Sequence, residues 1–241
     1  MPGSVDVRGA IVSLRGISSM AMRGVLGELA DAFEQRSRQS VDVVAVGGVD
    51  AARRIREGEP FDFVVLASEA IDKLAVEGHI DPATRTDLAR SDIAIAVAAD
   101  AMRPDLSTES AVRAAVLRAR TIGYSTGPSG AHVARLFERW GVGNATTPRL
   151  VQAPPGIAVG TLIARGEVEL GFQQLSELMN VPGIDIIGPL PPSLQRTTIF
   201  TAAVCITSKH KTSANEFITF LASPQAEAAK HRHGMFFRGL P

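Results

Sequence analysis

The chain has 241 residues, 45% hydrophobic and 21% charged, with 25 basic and 25 acidic side chains in balance. Such a length suits one large domain or two compact lobes with a sizeable buried core. Zero net charge excludes the electrostatic footprint of a nucleic-acid binder or an anionic-membrane binder.

Short β-branched runs alternate with helical patterns from the start. Residues 9–14, GAIVSL, read as a strand, and from Met22 onward Val25, Leu26, Leu29 and Phe33 follow helical spacing. Residues 41–46, VDVVAV, form a second strand ended by Gly47-Gly48, after which Asp50 is expected to cap a short helix. A third strand, residues 61–67, leads to a helix capped by Ser68. Residues 91–98 continue as a strand; 121–125, 148–153, 168–172 and 184–190 repeat the alternation. Residues 197–207, TTIFTAAVCIT, read as a long strand of about ten residues, against a usual ~5–6. The C-terminal stretch 213–234 is helical and broken near Pro224. This order predicts an α/β fold with mostly parallel sheets flanked by helices.

Single-residue signals set further bounds. Only four basic residues are lysine; arginine suits forked carboxylate or phosphate contacts, although genome composition explains such a bias equally well. One cysteine, Cys205, excludes an intramolecular disulfide and a cysteine metal cage, and its strand-like setting reads as a buried small hydrophobe. The longest apolar run, 93–99, is too short to span a bilayer, and Arg8 and Arg15 interrupt any N-terminal export core. The expected location is periplasmic if a signal peptide was removed, and cytoplasmic otherwise.

Open α/β sheets bind ligands beyond the carboxyl ends of their strands. The loops there are rich in small polar residues: Ser18-Ser19, Gly47-Gly48, Ala67-Ser68 and residues 125–130. Each precedes a helix, so each offers unpaired backbone N–H groups and the positive end of a helix dipole. Residues 124–132, YSTGPSGAH, match neither a Walker loop nor a nucleophile elbow. They read either as a glycine-rich anion cradle around Ser129, Gly130 and Ala131 or as an ordinary N-cap. His132, in the first turn of that helix, is a candidate donor or base. His231 to His233 read as a solvated helix end. Gln173-Gln174 follow a strand where amides can meet an oxyanion. Asp62, Glu69, Glu167, Glu169 and Glu177 sit at strand starts or on helix surfaces, and no spacing demands an acid/base pair.

Taken in order, the segments SSMAMRGVLGELADAFE, GGVDAARRIREGEPFDFVVLAS, YSTGPSGAHVARLFERWGV and LIARGEVELGFQQLSEL resemble the solute-binding proteins of molybdate-type ABC transporters. So do residues 71–97 and 183–195, and the resemblance covers residues 5 to 234. It implies a two-lobed periplasmic-binding-protein fold of the second type, with hinge strands near 91–98 and 197–207. Lobe 1 is then expected from 1–90 plus 206–241, and lobe 2 from 91–205. Aconitate isomerase, an enzyme on this fold, is similar too.

The resemblance places oxyanion contacts near Ser19, Gly48, Ser129, Ile157 and Gln173 or Gln174; the loop and helix-opening reading adds Ser18, Met20, Gly47, Ser68, Gly130 and Ala131 as candidate ligand contacts. The chain departs from the molybdate pattern in having Val49 where a hydroxyl follows the glycines, and glutamines where a tyrosine is common. Arg23 and Arg53 form a candidate carboxylate clamp, which favours an organic polycarboxylate. The first expectation is a monomeric receptor that traps a small anion, without metal or cofactor, for an ABC-type permease. It needs neither nucleic acid nor membrane insertion. The alternative is an isomerase of an unsaturated polycarboxylate with His132 as base, and a third option is an orphan anion sensor.

Overall fold

The expected alternation is present in a computed structural model, which describes residues 12–37, 39–142, 149–154 and 156–236. Residues 9–11 and 148 of the expected strands, and the N-terminal stretch read for export, lie outside the described residues. The first half runs β1 (Ser13–Ser19), a single 3-10 turn (Met20–Met22), α1 (Arg23–Ser37), β2 (Ser40–Val46), α2 (Gly48–Arg56), β3 (Phe63–Ala67), α3 (Ser68–Val76) and β4 (Thr86–Ser91). The middle adds β5 (Ile93–Ala98), α4 (Glu109–Arg118), β6 (Thr121–Tyr124), α5 (Pro128–Arg139), β7 (Arg149–Gln152) and α6 (Val159–Ala164). Then follow β8 (Leu170–Gln174), α7 (Leu175–Leu178), β9 (Ile184–Pro189), β10 (Thr198–Val204), α8 (Lys211–Leu221) and α9 (Glu227–Arg232).

Two five-stranded sheets result, ordered β2-β1-β3-β10-β4 and β7-β6-β8-β5-β9. They are built alike. In each, three strands run parallel, and the strand arriving from the other lobe enters antiparallel between the third of them and an edge strand. The strand–helix connections bring the carboxyl ends of the parallel strands in both sheets to the cleft.

Both sheets are covered on both faces, which is why their central strands read as continuous apolar runs. In the first, Leu14, Phe63, Val65 and Val204 pack with α1 and α8, while Ile17, Val64, Leu66 and Ala203 pack with α2 and α3. In the second, Ile95, Ile122 and Phe172 meet α4 and α5, while Ala94 and Ala96 meet α6 and α7. The C-terminal α8 returns to the first lobe through Phe217, whose ring lies 5.0 Å from Phe33 and 5.1 Å from Phe63. Burying each such ring contributes about 1.5–3 kcal/mol. Gly16 makes the arrangement possible, since a Cβ there would lie 2.2 Å from the Phe63 ring.

The structure corrects several local readings. Residues 91–98 are two pieces: β4 ends at Ser91 in the first sheet and β5 begins at Ile93 in the second, so the chain crosses at Asp92. The long strand read in 197–207 spans Thr198–Val204 and belongs wholly to the first sheet, although the expected division gave these residues to the second lobe. Hydrogen bonding to β3 and β4 holds it there. Neither Asp50 nor Ser68 is an N-cap: Gly47 and Ala67 are, and Asp50 in the first turn pairs with Arg53 one turn on. Cys205 is buried as expected, and burial pushes its thiol up to about 12.

Candidate functional site

Between the lobes lies a cleft of about 910 Å³. The turn before α1 and the openings of α2 and α3 form one wall, and those of α5, α6 and α7 form the other. At none of these six does the N-cap residue bond a first-turn N–H with its own side chain, although Gln173 Oε1 takes Val159 N in α6 and the Glu69 carboxylate takes its own N–H in α3. By contrast α4, which opens away from the cleft, is capped by Thr108 Oγ1 accepting from Ala111 N at 3.1 Å. First-turn N–H groups left free at the other openings favour a negatively charged guest in the cavity.

The serine pair at the end of β1 divides by strand alternation. Ser18 is fully buried, lies off the cavity, and its hydroxyl donates to the Ser19 carbonyl at 3.3 Å. Ser19 lines the cavity, and its enclosed hydroxyl has no hydrogen-bond partner among the described residues. The same holds for Ser176 in the first turn of α7, on the opposite wall. An enclosed hydroxyl without a partner is costly to leave unsatisfied, so each is a donor available to a hydrogen-bond acceptor. Met20, Gly47, Gly48 and Ile157 also line the cavity; Ser68 does not, although its neighbours Ala67 and Glu69 do.

At the start of α5, Ser129 and Ala131 reach the cavity and Gly130 does not. A Cβ on Gly130 would sit 1.7 Å from the Ser125 carbonyl oxygen, so the glycine lets the helix approach its own loop. Ser125 Oγ and Ser129 Oγ hydrogen-bond at 3.1 Å, which fixes that loop. His132, the sequence candidate for a base, lies off the cavity and bonds through Nε2 to the Leu194 carbonyl at 2.7 Å.

Charge on the walls is mainly positive. Arg23 and Lys73 on the first wall and Arg135 on the second line the cavity and make no ion pair among the described residues. Arg196, on the chain crossing back to the first lobe, is held by Glu69 at 3.0 Å, and Arg56 by Glu77 at 2.7 Å. Through its own backbone N–H and then Arg196, Glu69 stays below the usual carboxylate range. The other half of the expected clamp, Arg53, faces outward to Asp50 and Glu57 and is not on the lining.

Gln173 and Gln174 both touch the cavity, yet each is already committed. In β8 they are buried and point to opposite faces, so both amides must find partners inside the protein. The Gln174 amide accepts from Thr198 Oγ1 at 2.5 Å and donates to the Ser91 and Asp92 carbonyls at 3.0 and 3.3 Å. It thus ties both crossing points together. Gln173 Oε1 accepts from Val159 N at 2.7 Å, and this leaves Nε2 to donate to Glu177 Oε1 at 2.9 Å.

Glu177 corrects the expectation of a helix-surface carboxylate. It lines the cavity, and burial pushes its carboxyl up to about 7 despite the opposing hydrogen bond from Gln173. Such a group changes protonation near neutrality, which is the condition for taking and returning a proton. His233, read from sequence as solvated, is half-buried; it bonds to Glu28 at 3.0 Å and also borders the cavity. Sequence reasoning missed Lys73, Arg135, Ser176, Glu177 and Arg196. The rule that pointed to Gln173-Gln174 would have reached Ser176 and Glu177 had it been carried one helical turn further.

The sequence model of the bacterial extracellular solute-binding proteins matches residues 14–236. An aconitate isomerase of a Pseudomonas species is 35% identical over 233 residues, covering 93% of this chain and 88% of that protein. Among solved structures, the periplasmic molybdate-binding protein of Azotobacter vinelandii superposes with a TM-score of 0.76 at 20% identity, over 94% of this chain and 100% of that one. A structure titled as the tungstate ABC transporter from Geobacter sulfurreducens gives 0.69 at 17% identity, over 90% and 97%. At these identities the two structures bear on the fold alone, and the fold is theirs: two lobes, each an α/β sheet flanked by helices.

Proposed function

The chain belongs to the bacterial extracellular solute-binding protein family, and from that premise we propose that its cleft takes a small organic polycarboxylate and isomerises it by moving a proton between allylic carbons. The observation that carries this reading is the spread of unpaired cations, Arg23 and Lys73 on one wall and Arg135 on the other. A compact oxyanion occupies one anion site, whereas a tricarboxylate can engage groups on both walls at once. The unpaired hydroxyls of Ser19 and Ser176 add neutral donors between them. A cavity of about 910 Å³ also falls within the range usual for organic ligands, ~300–1,000 Å³. The 35%-identical relative named aconitate isomerase supports the reaction class. This reading reverses the order of the sequence expectations, in which the receptor came first.

A second reading, capture of an anion outside the cytoplasm for an ABC-type permease, is favoured by the likeness in fold to the periplasmic molybdate-binding protein. Calorimetric titration with tricarballylate, sulfate and molybdate, beside a product assay with trans-aconitate, separates the two. The expected result is heat with tricarballylate and conversion of trans- to cis-aconitate. Heat with molybdate alone would transfer the protein to the second reading, and no heat with any anion would sink both.

A further inference from the structure

Glu177 is set apart from every other acid in the cleft by how it is held. It lines the cavity from the first turn of α7, directly after β8. One oxygen accepts from Gln173 Nε2, whose own oxygen is fixed by Val159 N, so the amide cannot turn and the carboxyl is aimed by a two-bond chain. Beside it on the same turn is the unpartnered hydroxyl of Ser176. The turn Met20–Met22 packs on α7 and brings the end of β1, with the unpartnered Ser19 hydroxyl, to the same part of the cleft. No arginine or lysine pairs with Glu177 among the described residues, whereas Glu69, the other carboxylate lining the cavity, is tied to Arg196.

From this geometry we propose that Glu177 is the catalytic acid/base of the cleft, with Gln173 as its positioning residue. This rests on the polycarboxylate-isomerase reading above. The carboxylate takes a proton from the methylene carbon of an allylic tricarboxylate. The electron pair of the broken C–H bond forms the new C=C bond, and the pair of the old C=C bond collects a proton from the Glu177 carboxyl at the far carbon. Atoms and electrons balance without an oxidant or a cofactor, and Glu177 ends as the carboxylate it began as. Arg23, Lys73 and Arg135 bind substrate carboxylates and stabilise the charge that spreads into them.

The surroundings fit a single working proton. None of β5, β8, α6 or the turn Met20–Met22, the elements packed on α7, carries an ionisable side chain. Gly234 packs against Leu175 and Met179, and this brings His233 close, but that ring is committed to Glu28. Arg23 follows the turn and faces the cavity. Burial holds the Glu177 carboxyl up at about 7, so the base form grows in as pH rises through neutrality.

The test compares wild type with Glu177→Gln in turnover of trans-aconitate and in binding of tricarballylate, a saturated tricarboxylate that cannot react. The expected result is little change in tricarballylate affinity with kcat lowered by at least about a hundredfold, the scale of a lost proton-transfer group. Wild-type kcat/KM should fall about tenfold per pH unit below neutrality, and Gln173→Leu should move that limb to higher pH. A wild type that turns over while Glu177→Gln matches it, or whose profile is flat, overturns the role of Glu177 and leaves the function standing. A wild type that binds tricarballylate without converting trans-aconitate overturns both. Should Glu177→Gln fail to bind tricarballylate, the wild-type limb and its shift in Gln173→Leu decide alone, absence of the shift overturning the assignment.

Discussion

Two glycine-bearing helix openings face each other across the cleft, alike in sequence and opposite in construction. At Gly47-Gly48 an added Cβ meets nothing closer than 3.9 Å, so the missing side chains leave open space beside the cavity. At Gly130 an added Cβ would meet the Ser125 carbonyl at 1.7 Å, so the missing side chain is a packing necessity. The same contrast extends to the walls. Both walls carry unpartnered groups among the described residues, Ser19, Arg23 and Lys73 on the first and Ser176 and Arg135 on the second, but only the second has its loop and its acid tied by internal side-chain bonds, Ser125 to Ser129 and Gln173 to Glu177. Both walls can receive a ligand, and the second also holds a fixed arrangement of groups ready.

The sharpest way to break that comparison is Gly130→Ala. Overpacking against backbone should cost about 3 kcal/mol or more, read from denaturant unfolding. A neutral result would mean α5 is not seated on its loop. Next comes the pH dependence of stability in the unliganded protein. Glu177 is raised from 4.5 to about 7 on folding, so the folded state binds the extra proton. Its contribution is fully present below 4.5 and is lost as pH rises through 7, amounting to about 3 kcal/mol for this net rise. Glu177→Gln should remove that slope from unfolding curves recorded across the window.

Arg23→Ala and Arg135→Ala sharpen the comparison from both sides. Each removes one charge-assisted contact, about 1.5–3 kcal/mol, so each should weaken tricarballylate at least about tenfold by calorimetry. A loss from one wall only would mean that the ligand does not bridge. Gly48→Ala should leave stability unchanged or raised by up to about 1 kcal/mol, as alanine favours the helix, while lowering ligand affinity by intruding on the cavity. Smallest of all, His132→Ala should leave turnover within about twofold, because its ring serves the Leu194 carbonyl and not the cleft.

The alternation of β-branched runs and helical faces made the sheets and their layering legible, because burial on two faces imposes continuous apolar strands. The ligand end was legible too, since loops rich in serine and glycine follow the parallel strands. What stayed hidden depends on tertiary placement. Ser18 and Ser19 look equivalent in sequence, yet strand alternation turns one into the core and sets the other on the cleft lining. Gln173 and Gln174 read as ligand amides, but a central strand forces each to satisfy itself internally. Glu177 carries no sequence mark of its environment; its perturbation comes from walls contributed by β5, β8 and the turn after β1. His132 drew attention through its place in a helix's first turn, and the angle of α5 turns it away from the cavity.

Proton NMR of trans-aconitate incubated with the unmodified protein tests the central claim most directly. The vinyl signal of the trans isomer should give way to that of the cis isomer until the two reach equilibrium. An unchanged spectrum, at protein concentrations that bind tricarballylate, would contradict the account.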